Sequence, residues 1–145
     1  MTVNVLLVED SPGDARLTNE AFREVNHDVR MWAAFDGAEA MAFLQREREP
    51  ATAPRPDLIL LDLNMPKLDG REVLAQIKAD ESLKTIPTVV LTTSTAAVDV
   101  AISYQLQANC FLNKPIDMFV FEGLVKSIND FWLTKATLPG SHPPK

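Results

Sequence analysis

The chain has 145 residues, enough for one domain with a proper core, and 46% apolar against 23% charged residues is ordinary for a globular protein. Its net charge of −6 argues against a nucleic-acid-binding surface, which would need a basic patch. There is no basic-then-apolar leader and no apolar run of about 18 residues, so no signal peptide or membrane span is expected, and the expected location is cytoplasmic.

Val3 to Val8 is predicted as a strand. A helix follows, with Ser11 as N-cap and Pro12 at its first position. Leu17, Ala21 and Val25 recur at four-residue steps and predict its buried side, with Phe22 beside them. Val29 to Ala34 is a second strand. Asp36-Gly37-Ala38-Glu39 has the pattern of a capping box and opens a helix that should bury Ala40, Phe43 and Leu44. Arg46 to Pro56 is polar and proline-bearing, and reads as a solvated connector. Asp57 to Leu61 is the third strand, and Asp69-Gly70-Arg71-Glu72 opens a helix through Lys78. Pro87 to Thr92 is the fourth strand. Ala96 to Gln107 is a helix with Val98, Ala101, Ile102 and Leu106 as its expected inner face. Asn109 to Leu112 is a fifth strand, with Cys110 in it as a small apolar residue. Asp117 caps a last helix to about Lys135, and Ile116 is placed to staple onto Phe121. The domain is expected to span residues 1–138, with 139–145 a disordered tail.

Five strands alternating with five helices predict an α/β fold, a doubly wound parallel sheet with helices on both faces. Ligands of such sheets sit at the carboxyl ends of the strands. The polar residues there are Glu9 and Asp10, then Asp62, then Thr92 and Thr93, then Lys114. Asp62 closes the run Leu58-Ile59-Leu60-Leu61, which suits a strand buried on both faces. A carboxylate in that position needs a cation.

Three carboxylates at two strand ends would repel one another unless a cation sits among them. Oxygens from Asp10, Asp62 and one backbone carbonyl, with Asn64 as the candidate, suit Mg²⁺ completed by water, and Glu9 would act through a bound water. A carboxylate can also be a nucleophile that forms an aspartyl phosphate. Phosphoryl transfer asks mainly for positioning and charge neutralisation. Asp62 would attack in line, with the Lys114 ammonium and the Thr92 hydroxyl on the phosphoryl oxygens.

Leu6-Leu7-Val8-Glu9-Asp10, Leu60-Leu61-Asp62-Leu63-Asn64-Met65-Pro66, Asp69-Gly70, Val90-Leu91-Thr92 and Asn113-Lys114-Pro115 resemble the receiver domain of two-component response regulators, in their spacing as well. The resemblance covers residues 3 to 133. It implies the flavodoxin-like, CheY-like strand order 2-1-3-4-5. It implies that Asp62 takes a phosphoryl group from a sensor histidine kinase, with Mg²⁺ at Glu9, Asp10, Asp62 and the Asn64 carbonyl. It also implies a switch in which Thr92 moves toward the phosphoryl group and Phe111 rotates inward behind it. Thr93 is larger than the small residue frequent in the family at that place. With Asn64, it flanks the phosphoryl site and is expected to tune the lifetime of the adduct.

Only residues 116 to 145 follow the fifth strand and its lysine, so a protein contact or phosphate relay is the expected output. The last helix carries more apolar residues than one core face needs, and Phe119, Val120, Phe131 and Trp132 are the expected interface. Asp130-Phe131-Trp132-Leu133 and the long connector before the third strand resemble single-domain regulators paired with bacterial phytochromes. That resemblance implies a bacteriophytochrome kinase as partner and a homodimer through the fourth helix, fifth strand and fifth helix. Two rival readings fit the residues less well. A haloacid-dehalogenase-like phosphatase would need a second carboxylate two residues after Asp62, where Asn64 stands. A non-phosphorylated pseudo-receiver would have no use for the complete set of Glu9, Asp10, Asp62, Thr92 and Lys114.

Overall fold

The computed structural model describes residues 2–45, 54–65, 69–93 and 96–139. Its strands are β1 (Val3–Val8), β2 (Val29–Ala34), β3 (Leu58–Leu61), β4 (Thr88–Thr92) and β5 (Cys110–Asn113). They form one parallel sheet in the order β2-β1-β3-β4-β5, as expected. The helices are α1 (Pro12–Val25), α2 (Gly37–Gln45), α3 (Gly70–Ala79), α4 (Ala97–Gln105) and α5 (Met118–Ile128).

The period-2 alternation of side chains explains why the central strands are apolar throughout. Leu6, Val8, Ile59, Leu61 and Val90 enter one core with α2 and α3. Val5, Leu7, Leu58, Leu60, Val89 and Leu91 enter the other with α1 and α5. All four residues of β3 are fully buried, each worth roughly 1.5–3 kcal/mol. The register sets up the upper rim. Val8 pairs with Leu61, so Glu9 and Asp62 leave the sheet side by side. Thr92 pairs with Asn113, so Lys114 follows directly.

Local signals hold at most helix starts. The Ser11 hydroxyl accepts from the Asp14 N–H, and Asp69 caps α3 by accepting from the Arg71 N–H. Asp36 accepts from the Glu39 N–H, while the Glu39 carboxylate reaches back to the Phe35 N–H. Asp57 stands just before β3 rather than in it, and its carboxylate accepts from the Asn4 N–H.

Four expectations are corrected. In α1, Leu17 and Val25 are exposed, and the buried residues are Ala15, Thr18, Ala21 and Phe22. The stripe that packs is thus rotated away from the four-residue ladder. In α4, Val98 is 62% exposed, Ala101 is exposed, and Ile102 and Leu106 are only half-buried. That helix also stops at Gln105. The chain turns at Gln107, whose φ of 75° is left-handed. The Gln107 N–H donates to the Tyr104 carbonyl and the Ala108 N–H to the Ser103 carbonyl, which closes the end as a Schellman turn. Ile116 is 101% exposed, so it makes no staple, and Asp117 alone caps α5. Finally, the last helix changes character. After Ile128, residues Asn129–Lys135 form a π-helical segment, in which Trp132 and Leu133 rest on the α1 side of the core. Buried Asn129 fastens it by accepting from the Asn26 side chain, 2.9 Å away, at the end of α1.

Of the expected connector, residues 46–53 lie outside the described residues. Arg55, after them, donates to the Ser82 carbonyl and the Thr85 hydroxyl. Residues 140–145 of the expected tail also lie outside. No helix among the described residues is long and apolar enough to cross a membrane.

Candidate functional site

The strand ends converge on Asp62, which is 9% exposed. Its N–H donates to the Val8 carbonyl, which seats it against β1. Its Oδ1 accepts from the Thr92 hydroxyl at 2.9 Å and from the Asn64 N–H at 3.1 Å. Its Oδ2 lies 3.7 Å from the Lys114 Nζ. The same ammonium is 2.5 Å from Glu9 Oε1. The Lys114 N–H donates to the Thr92 carbonyl, so β4 hands the lysine its position.

Glu9 is buried, and burial pushes its pKa up to about 7 against the opposing pull of Lys114. Burial also works to lower the Lys114 pKa, but the hydrogen bond to Glu9 and the charges of Glu9 and Asp62 raise it on balance. Lys114 is therefore a fixed cation at this rim. Carboxylate oxygens of Glu9, Asp10 and Asp62 all lie within 4.8 Å of one another, Asp10 being the exposed member. With Glu9 ionised, three carboxylates against one ammonium leave two negative charges, which a divalent cation would balance and so favour that ionised state. All the donors are hard oxygens, and water reaches Asp10. The set therefore fits Mg²⁺, which prefers one or two carboxylates and retained waters.

The other expected residues divide. Asn64 and Thr93 are exposed beside Asp62 and after Thr92. Phe111 is half-buried against the α2–α3 side of the core. Phe119, Val120 and Phe131 are exposed. Trp132 is half-buried, with the Phe131 ring set edge-on to it at 5.2 Å.

Two features had escaped the sequence. A cleft of about 240 Å³ opens beside Lys114, between α1 and the start of α5, with Leu17, Ile116 and Met118 on its walls. Its signal in the sequence is the apolar Ile116 after Lys114-Pro115, a position that a helix staple would also explain. The second is Gly70. Its N–H donates to the Leu63 carbonyl, and a Cβ there would run into the Asp62 carbonyl oxygen and the Leu63 Cα. Only glycine lets α3 start against the backbone of Asp62.

A doubly wound sheet with acidic, hydroxyl and lysine side chains on its carboxyl rim is the arrangement of a receiver domain. The chain belongs to the response regulator receiver domain family, which it matches over residues 5–126. It is 50% identical to the response regulator Rcp1 of Synechocystis sp. (strain ATCC 27184 / PCC 6803 / Kazusa) over 137 residues, 94% of this chain and 93% of that protein. Its fold superposes on the phosphorylated cyanobacterial phytochrome response regulator RcpA with a TM-score of 0.91 and 48% identity, over 97% of this chain and 100% of that one. The Mn²⁺-bound form of Rcp1 gives 0.88 and 49%, over 95% and 99%.

Proposed function

We propose that the protein is a phosphoacceptor switch of a two-component phosphorelay, acting in the cytoplasm, with Asp62 as its acceptor. The observation that carries this is the convergence of Glu9, Asp10, Thr92 and Lys114 on one buried carboxylate. A carboxylate oxygen of Asp62 attacks the phosphorus of a kinase phosphohistidine. The O–P bond forms, the P–N bond breaks, and its electron pair leaves with the imidazole, which takes up a proton. The Lys114 ammonium neutralises a phosphoryl oxygen, and the Thr92 hydroxyl turns from Asp62 Oδ1 to donate to another. Asp10, Asp62 and the Asn64 carbonyl, with Glu9 through a water, would hold Mg²⁺, whose charge balances the phosphoryl oxygens. Asn64 and Thr93 line the approach of water and set the lifetime of the adduct.

The kinase docks over the cleft beside Lys114, whose walls carry the exposed Leu17, Ile116 and Met118. The likeness to Rcp1 and RcpA supports a bacteriophytochrome as that kinase. Thr92 and Phe111 pass the change on to α4, β5 and α5, and the exposed Phe119, Val120 and Phe131, with Trp132 beneath, form a homodimer face.

Intact mass after incubation with acetyl phosphate and Mg²⁺ tests the core of this. One phosphoryl adduct is expected on the wild type, lost without Mg²⁺ and absent from Asp62→Asn. No adduct, together with no uptake of beryllofluoride by folded protein, would overturn the assignment. Phosphotransfer from autophosphorylated bacteriophytochrome kinases then tests the pairing, which fails if they transfer no faster than unrelated kinases.

A further inference from the structure

Helix α4 is held in an unusual way. Of its nine residues Ser103 alone is buried, and Val98, Ala101 and Tyr104 face solvent. Ala96, which precedes it, has no side-chain oxygen to cap it. Packing along it is thin, with Val100 and Ile102 half-buried and Leu106 at its end resting on the α2–α3 side of the core. Each end is also tied by a polar link.

In the first turn, the Asp99 carboxylate lies 2.5 Å from the Arg71 guanidinium. The Asp99 side chain is 13% exposed, so the pair is partly desolvated rather than a free surface contact. The same guanidinium holds both oxygens of Asp69, the cap of α3, at 3.1 Å. In the last turn, the Tyr104 hydroxyl accepts from the Phe111 N–H at 3.1 Å. β5 is an edge strand, and this bond satisfies an amide that points away from the sheet.

Both links lead back to Asp62. Arg71 follows Gly70, whose backbone lies directly on that of Asp62 and Leu63. Phe111 is three residues before Lys114, which contacts Glu9 and Asp62. We propose that α4 is a tethered lever, with Arg71 and Tyr104 as positioning residues that transmit the state of Asp62 to it. This rests on Asp62 being the phosphoacceptor. A merely structural ion pair would affect stability alone. A lever would also make the response of α4 to phosphorylation depend on Arg71.

Residue-resolved amide hydrogen exchange, with and without beryllofluoride and Mg²⁺, separates the two. Wild type should change α4 exchange when it takes up the mimic. Arg71→Gln and Asp99→Asn should each speed α4 exchange about fivefold in the mimic-free protein and cut the mimic-dependent change. The double variant should be no worse than either single one, as expected of partners in one link. Tyr104→Phe should speed the Phe111 amide while leaving the first turn of α4 protected. Wild-type exchange in α4 of Arg71→Gln, or a full mimic response in that variant, would overturn the lever. A wild type that takes up no beryllofluoride overturns the phosphoacceptor reading and this regulatory role with it. Uptake that leaves wild-type α4 unchanged overturns the lever alone.

Discussion

Asp10 and Gly70 show how differently two residues can serve one carboxylate. Asp10 is exposed, yet its carboxylate lies within 4.8 Å of two buried carboxylates. Without a cation its charge works against the fold. Asp10→Asn should therefore raise metal-free stability by about 1 kcal/mol, a figure already reduced for solvent screening. The same variant should lose the stabilisation that Mg²⁺ gives wild type, about 1.4 kcal/mol at ten times the dissociation constant. Thermal melts with and without Mg²⁺ would show the two curves crossing. A variant that melts below wild type in both conditions would contradict this account of the charge balance. Gly70 acts through its missing side chain. Gly70→Ala forces a Cβ into backbone atoms of Asp62 and Leu63, which cannot move without breaking the rim. A loss of roughly 3 kcal/mol in urea unfolding is expected, against a gain of about 0.5–1 kcal/mol for Gly123→Ala inside α5, where the added Cβ meets nothing.

At the level of elements, legibility follows the kind of interaction that holds each one. Strands buried on both faces must be apolar throughout, so Leu58 to Leu61 read correctly, and the polar residue that ends the run marked the site. Each candidate rim residue ends or follows a strand, which is why Glu9, Asp10, Asp62, Thr92 and Lys114 are legible as candidates in the sequence. Helix α4 is hard to read because periodicity assumes that apolar residues decide the seat, whereas its two ends also make polar links, Asp99 to Arg71 and Tyr104 to the Phe111 N–H. The π-helical segment was invisible, since no residue spacing in Asn129-Asp130-Phe131-Trp132 announces a wider turn. In the sequence, Gly70 and Arg71 mark a helix start, and Asp69-Gly70 is one of the motifs shared with the family. Their contacts with Asp62 and Asp99 exist only in the folded chain. The end of α4 also carries a testable compromise. Gln107 holds a left-handed φ of 75° that suits glycine, closing a Schellman turn. Gln107→Gly should stabilise the protein by about 1 kcal/mol, seen as a rise of about 3 °C in Tm. An unchanged or lower Tm would mean that the Gln107 side chain contributes as much as its backbone strain costs.

For the whole molecule, the sheet leaves two open edges, β2 and β5, and β5 has only four residues. The start of α5, which follows β5 in the chain, exposes Phe119 at 83% and Val120 at 55%, and the π-helical segment exposes Phe131 at 55%. Large apolar side chains grouped on one short helix and its extension are costly to leave in water, and a second copy of the chain would cover them symmetrically. The proposed phosphoacceptor rim is a separate surface, at the carboxyl ends of the strands. Removing the apolar face should therefore abolish the proposed dimer without impairing phosphorylation. Light scattering at tens of micromolar is expected to show a wild-type dimer and a Phe119→Asp/Val120→Asp monomer, with the same single acetyl-phosphate adduct on both. A wild type that stays monomeric with and without beryllofluoride would sink the homodimer. A variant that loses its adduct while remaining folded would show that the two surfaces are one functional unit, with the acceptor rim dependent on the partner subunit.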